Sequence, residues 1–175
     1  MKVGTNNVEI VSTAQNGDSR TYVLRVTREN DPSPDTSVSS DTLRFDGSFV
    51  YGFEIGLSDA QALQALQVKN GSAKLFGVDG GQKTGPIATG DLLRIYNAAG
   101  EVKLEYSVII FGDLTGDGTV DTLDLVYMKR HIWDLSSLSG SFKFAADVTH
   151  DGKVDTLDLV YMKRHVWNIQ EIIQQ

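Results

Sequence analysis

The sequence predicts an α+β chain, with one or more β-rich modules over the first 111 residues followed by an all-α C-terminal portion made of two loop-helix repeats. Three observations predict it. Short runs of β-branched and aromatic residues, separated by Gly- and Asn-containing turns, recur up to Phe111. One stretch with helical spacing, SDAQALQALQV, interrupts them. Residues 113–134 (DLTGDGTVDTLDLVYMKRHIWD) return as residues 147–168 (DVTHDGKVDTLDLVYMKRHVWN) at an offset of 34, with 17 of 22 positions identical.

From the N-terminus, residues 8–13 (VEIVST) and 21–28 (TYVLRVTR) read as two strands. Asn16-Gly17-Asp18 between them is a hairpin signal, because Asn-Gly readily takes positive φ. Residues 1–30 are therefore expected to be a β-hairpin, marginally stable alone. Met1-Lys2-Val3-Gly4 leads into strand-like sequence instead of a signal peptide, so the chain reads as excised from a longer polypeptide. Residues 29–41 (ENDPSPDTSVSSD) concentrate Pro, Ser and Asp, the composition of a linker.

Residues 42–111 read as a small β-rich domain with one helix on an antiparallel sheet. LRF, YGFEI, AKLFGV, DLLRIYN and KLEYSVIIF supply strands, and Ser58 is placed to cap the helix. Residues 112–175 are the third domain.

Composition excludes several function classes. The chain holds 175 residues, 41% hydrophobic, enough to bury a core. Its 23 acidic against 16 basic residues, net −7, oppose a nucleic-acid partner. There is no cysteine, hence no disulfide and no thiolate chemistry, and no apolar run long enough for membrane insertion. An enzyme is not expected. A glycan hydrolase needs two carboxylates across a cleft, whereas the carboxylates here are committed elsewhere.

That commitment is to a metal. Calcium takes six to eight oxygen ligands, and a twelve-residue loop offers them from positions 1, 3, 5, 7, 9 and 12 around a Gly at 6. In the first repeat these positions are Asp113, Thr115, Asp117, the carbonyl of Thr119, Asp121 and Asp124, around Gly118. In the second they are Asp147, Thr149, Asp151, the carbonyl of Lys153, Asp155 and Asp158, around Gly152. Position 9 is expected to bind through water and position 12 through both oxygens. Thr at position 3 and Asp at 12 depart from the EF-hand pattern. Magnesium, which demands short octahedral bonds and retains its waters, fits such a cage less well. Two calcium ions are expected, and at a thousandfold excess over Kd each would add roughly 4 kcal/mol to folding stability. No helix is expected before Asp113, where EYSVIIFG stands, so the ion reads as a structural staple and not as a sensor's switch.

The helices that follow have two faces. Leu125, Met128 and Ile132, with Leu159, Met162 and Val166, form the arc that should pack inward. The opposite side carries Thr122, Leu123, Val126, Lys129, Arg130 and Trp133, mirrored by Thr156, Leu157, Val160, Lys163, Arg164 and Trp167. Apolar anchors beside a Lys-Arg pair suit a partner-binding surface. For the tryptophans, packing on the neighbouring domain or the C-terminal tail is an equal alternative, and for Lys-Arg a helix C-terminal charge preference is one. His131, His150 and His165 belong to no catalytic constellation, and His150, at loop position 4, is expected to point outward.

Two loops of the form D-x-T-x-D-G-x-V-D-T-L-D, each followed by LVYMKRH, resemble the dockerin family over residues 112–170. Thr at position 3 replaces that family's usual Asn. The resemblance implies two calcium loop-helix units with an intervening helix. It also implies binding to the cohesin module of a scaffold or cell-surface protein, which assembles extracellular bacterial enzymes or adhesins as in a cellulosome for polysaccharide degradation. Thr122-Leu123, Lys129-Arg130, Thr156-Leu157 and Lys163-Arg164 match its recognition positions, and their duplication implies two alternative binding orientations. Residues 42–111 are similar to the X-module-like domains upstream of some dockerins, and residues 1–30 to the tail of a bacterial β-sandwich. The alternative is a calcium-stabilised spacer of a surface protein that binds no cohesin. Finally, Ile169, Ile172 and Ile173 are expected to pack near Ile109 and Phe111 and clasp the module's ends.

Overall fold

The computed structural model describes residues 4–28 and 35–175 and resolves the chain into two units, Met1–Pro34 and Asp35–Gln175. The expectations for residues 1–3, and for residues 29–34 of the linker, lie outside the described residues.

In the first unit β1 (Gly4–Thr13) and β2 (Ser19–Arg28) pair antiparallel in unbroken register from Gly4 opposite Arg28 to Thr13 opposite Ser19. Five residues turn the chain. The Ala14 N–H donates to the Asp18 carbonyl at 2.7 Å, and Asn16 Oδ1 accepts from the Asp18 N–H at 3.2 Å. Only Gly17 takes positive φ, +91°. The expected hairpin thus turns through a five-residue loop in which Asn16 serves through its side chain and Gly17 through its backbone.

In the second unit β4 (Arg44–Asp46), β5 (Phe49–Tyr51), β7 (Gly71–Phe76), β8 (Leu92–Asn97) and β9 (Val102–Val108) form one sheet in the order β4-β5-β9-β8-β7. The pairing of β5 with β9 is parallel, which corrects the all-antiparallel expectation. The predicted YGFEI strand is corrected too. It ends at Tyr51, because Gly52 adopts φ +101° and turns the chain away.

A second pair, β3 (Ser37–Ser39) with β6 (Gln67–Lys69), sets Val38 opposite Val68, both packed on the β core. This overturns the linker expectation for residues 37–39. It also shortens the predicted helix to α1 (Asp59–Gln64), since its end is drawn into β6. Ser58 does cap it, in a reciprocal box with Gln61.

After β9 come α2 (Thr122–Ile132), α3 (Gly140–Ala146) and α4 (Thr156–Val166), so the chain is α+β with its helices concentrated in the C-terminal region.

The run Val108-Ile109-Ile110-Phe111 joins two cores. Val108 and Ile110 enter the β core with Val50, Leu93 and Ile95, while Ile109 and Phe111 enter the helical core with Met128, Met162 and Ala145. Extended backbone sends alternate side chains to opposite faces, so four consecutive apolar residues are all buried only because each face meets a separate core. Full burial of each contributes about 1.5–3 kcal/mol. The short helix α3 adds to this seam. Phe144 lies 4.8 Å from Phe49 and 5.7 Å from Tyr51, centroid to centroid, and the Ser141 and Ser107 hydroxyls are 2.7 Å apart. The predicted helix arc holds as well. Leu125, Met128 and Met162 are buried, with Ile132, Leu159 and Val166 packed partly against them.

Candidate metal-binding and docking site

Each predicted loop is closed by its own carboxylates. In the first, Asp113 is fully buried, and its Oδ1 accepts from the Gly116 N–H at 2.7 Å while Oδ2 accepts from the N–H groups of Gly118 and Thr89 at 3.1 and 2.9 Å. Asp124, equally buried, accepts from Leu114 and Thr115 through Oδ1 at 2.8 and 3.0 Å and from Asp121 through Oδ2 at 2.8 Å. Asp121 caps α2, accepting from the Leu123 N–H at 2.6 Å. Exposed Asp117 accepts from the Thr119 N–H and hydroxyl at 2.9 and 2.8 Å, and the Thr115 hydroxyl lies 3.5 Å from Asp113 Oδ1.

The second loop repeats most of this. Asp147 accepts from Asp151 and Gly152 at 3.1 and 2.8 Å, and Asp158 from Thr149 and Asp155 at 3.1 and 2.9 Å. The Thr149 hydroxyl donates to Asp158 Oδ1 at 3.0 Å, Asp151 accepts from the Lys153 N–H at 2.9 Å, and Asp155 caps α4 through the Leu157 N–H.

Three of these carboxylates are buried without a countercharge. Burial raises Asp113 above the ordinary carboxylate range, with the Asp117 charge adding to it, against the pull of the Thr89, Gly116 and Gly118 N–H groups. Asp124 rises for the same reason, with Asp113 nearby, and so does Asp158, with Asp147. Among the described residues the ion pairs are Lys83–Asp91, Arg94–Glu105 and Lys103–Glu101, so none involves a loop carboxylate.

Among the described residues, too, no three acidic or histidine side chains converge into a ready-made cage. The carboxylates lean instead on backbone N–H groups. Oδ2 of Asp124, of Asp147 and of Asp158 each accepts a single N–H and keeps a further lone pair, and the remaining donors are hydroxyl and carbonyl oxygens. An all-oxygen set with uncompensated buried charge fits a hard divalent cation of calcium type.

The helix faces are paired. Leu123 and Leu157 are 50% and 49% exposed, and Val126 and Val160 lie beside them at 46% and 48%. Thr122, Thr156, Arg130 and Arg164 are exposed, while Lys129 and Lys163 are half-buried. Trp133 and Trp167 are 62% and 60% exposed, so neither is buried against the β module or the C-terminal tail. Their backbone N–H groups close the helix ends on Lys129 and Lys163, and Lys163 Nζ sits 4.8 Å over the Trp167 ring.

Sequence reasoning missed the work of the histidines. His131 Nδ1 accepts from the Leu138 N–H at 3.2 Å and His165 Nδ1 from the Ile172 N–H at 3.3 Å, each tying down the segment after its helix. The signal was present, an apolar residue seven positions beyond each repeated His. His150 does face out of its loop, but its ring meets Phe111 edge-on at 4.3 Å, and Nε2 lies 3.1 Å from the Ile173 carbonyl. The C-terminal clasp is correct only for Ile172, since Ile169 and Ile173 are 62% and 66% exposed. Gln174 takes their part at Phe111.

Against known proteins, residues 111–167 match the model of the dockerin type I domain family. No curated protein matches the chain.

Proposed function

With a dockerin type I domain at residues 111–167 as the premise, we propose that this chain is the docking end of an extracellular bacterial assembly. Dockerin domains are docking modules rather than catalysts. They bind calcium and cohesin partners, and are typical of secreted or cell-surface proteins. On our reading, Asp113, Thr115, Asp117, Asp121 and Asp124, with the Thr119 carbonyl, hold one calcium ion. Asp147, Thr149, Asp151, Asp155 and Asp158, with the Lys153 carbonyl, hold a second. Bound calcium supplies the positive charge that the buried carboxylates lack and fixes the start of each following helix.

The chain's own residues then do the docking. Thr122, Leu123, Val126, Lys129 and Arg130, or their duplicates Thr156, Leu157, Val160, Lys163 and Arg164, meet a cohesin on a scaffold or surface protein. Enzymes or adhesins upstream are thereby assembled as in a cellulosome. The observation that carries this reading is the matched exposure of two identical apolar faces flanked by Lys-Arg pairs. Equal faces support two alternative orientations on one partner. No described helix is long and apolar enough to cross a membrane, and the partner surface is taken to be protein.

An affinity pull-down tests the proposal, with the chain as bait against surface and secreted proteins of its source, in millimolar calcium and in chelator, read by mass spectrometry. Recovery of a cohesin-bearing protein only in calcium supports it. A folded, calcium-loaded chain that retains no cohesin would favour the structural spacer.

A further inference from the structure

The two ion loops are nearly identical in sequence but differ in what surrounds them. Residues 86–91, the turn that leads into β8, press on the first loop at three points. The Thr89 N–H donates to Asp113 Oδ2 at 2.9 Å. A Cβ at Gly118 would lie 2.6 Å from the Ile87 carbonyl oxygen, and one at Gly116 would lie 3.0 Å from that of Thr89. At Gly152, which shares the backbone conformation of Gly118 (φ +83° against +82°), a Cβ would meet nothing within 4 Å. The repeats also differ at loop position 4. Gly116 stands where backbone presses close, and His150 where the space admits a ring.

The aiming group is itself fixed. Thr89 is fully buried, and its hydroxyl donates to the Ile110 carbonyl at 3.0 Å and accepts from the Ile110 N–H at 3.1 Å. Next to it the Ala88 N–H donates to Asp91 Oδ2, which Lys83 Nζ holds at 2.8 Å. An amide so held presents a donor to one carboxylate oxygen without reorganising.

We propose that residues 86–91 are an integral part of the first calcium site, with Thr89 as a positioning residue that fixes the Asp113 carboxylate. Ion binding there and the order of the β module are thereby coupled, while among the described residues the carboxylates of the second loop accept only from groups within that loop. The inference rests on the calcium reading above. Because coupling is reciprocal, calcium at the first loop stiffens residues 86–91 and Ile110, and an intact turn raises the first loop's affinity.

The test uses the full chain and calcium alone as the probe. Asp117 and Asp151 are exposed, occupy the same loop position and accept within their own loops. Asp117→Ala and Asp151→Ala therefore empty one site each without touching the turn. Calcium should slow hydrogen exchange of the Thr89 and Ile110 amides about tenfold in the wild type and in D151A, and not in D117A. Thr89→Val, which releases the amide by removing the hydroxyl bonds, should weaken calcium binding at the first loop about tenfold and leave the second unchanged, while Thr89→Ser restores it. Calcium filling both loops with no effect on the Thr89 amide, or D151A abolishing that effect as D117A does, would overturn the coupling alone. Failure of the wild type to bind calcium would overturn the calcium reading, and the coupling with it.

Discussion

Gln174 grips the backbone of Phe111 from both sides, its Oε1 accepting from the Phe111 N–H at 2.8 Å and its Nε2 donating to the Phe111 carbonyl at 2.9 Å. A side-chain amide thus pairs with the chain as a strand would, sixty-three residues away, where the path leaves the sheet for the first loop. Beside it Ile172 is buried in the helical core. Gln174→Ala removes both bonds and should lower stability by about 1–3 kcal/mol. Thermal unfolding followed by circular dichroism in excess calcium reads this, and an unchanged midpoint would contradict it.

The same tail carries a pH dependence. Burial pushes His165 below its ordinary value, opposed in part by Glu171, and Glu54 lines the same crevice. A histidine whose folded pKa is depressed binds fewer protons folded than unfolded. Its neutral form therefore supports the fold above about pH 6.5, and that support is lost as pH falls below this unfolded value. Calcium-saturated protein should lose stability between about pH 7 and pH 5, and His165→Gln should flatten that slope. Denaturant unfolding across this range measures it, and a slope unaffected by the substitution would be the contrary result.

Gly118 and Gly152 offer a matched comparison. Both have left-handed φ, so alanine strains the backbone equally at each, but only at Gly118 does the new methyl meet a carbonyl, that of Ile87. Gly118→Ala should destabilise by about 1–3 kcal/mol more than Gly152→Ala, the ordinary cost of overpacking. Parallel unfolding curves in calcium decide it, and equal losses would contradict the packing described.

The proposed docking face makes its own prediction. Changing Thr122-Leu123 or Thr156-Leu157 alone to Glu-Glu should leave cohesin binding largely intact, since the other face still serves. Changing both pairs should abolish it. Glutamate in a first helical turn favours the helix, so folding is not the variable. Calorimetric titration with a purified cohesin measures the effect, and total loss from a single pair would refute two alternative orientations.

The duplicated loops, the Ser58 cap and the inward helix arc were legible because each is local. A spacing of twelve, a cap and a 3.6-residue period can be counted on one strand of text. What escaped is long-range. Val38 could not be seen as a strand residue until Val68 lay opposite it, and the parallel pairing of β5 with β9 depends on a partner over fifty residues away. Thr89 carried no motif at all, since a backbone N–H is the same in every residue but proline. Conversely, Ile169 and Ile173 matched a hydrophobic expectation that the tail meets with one isoleucine and one glutamine.

Calcium-dependent docking is tested most directly by the affinity of the purified chain for immobilised type I cohesins in millimolar calcium and again after chelation, with the chain's fold monitored alongside. The account predicts tight binding to at least one cohesin in calcium and its loss on chelation, recovered when calcium is restored. Binding that survives chelation undiminished, or none to any cohesin while both loops are calcium-loaded and folded, would contradict it.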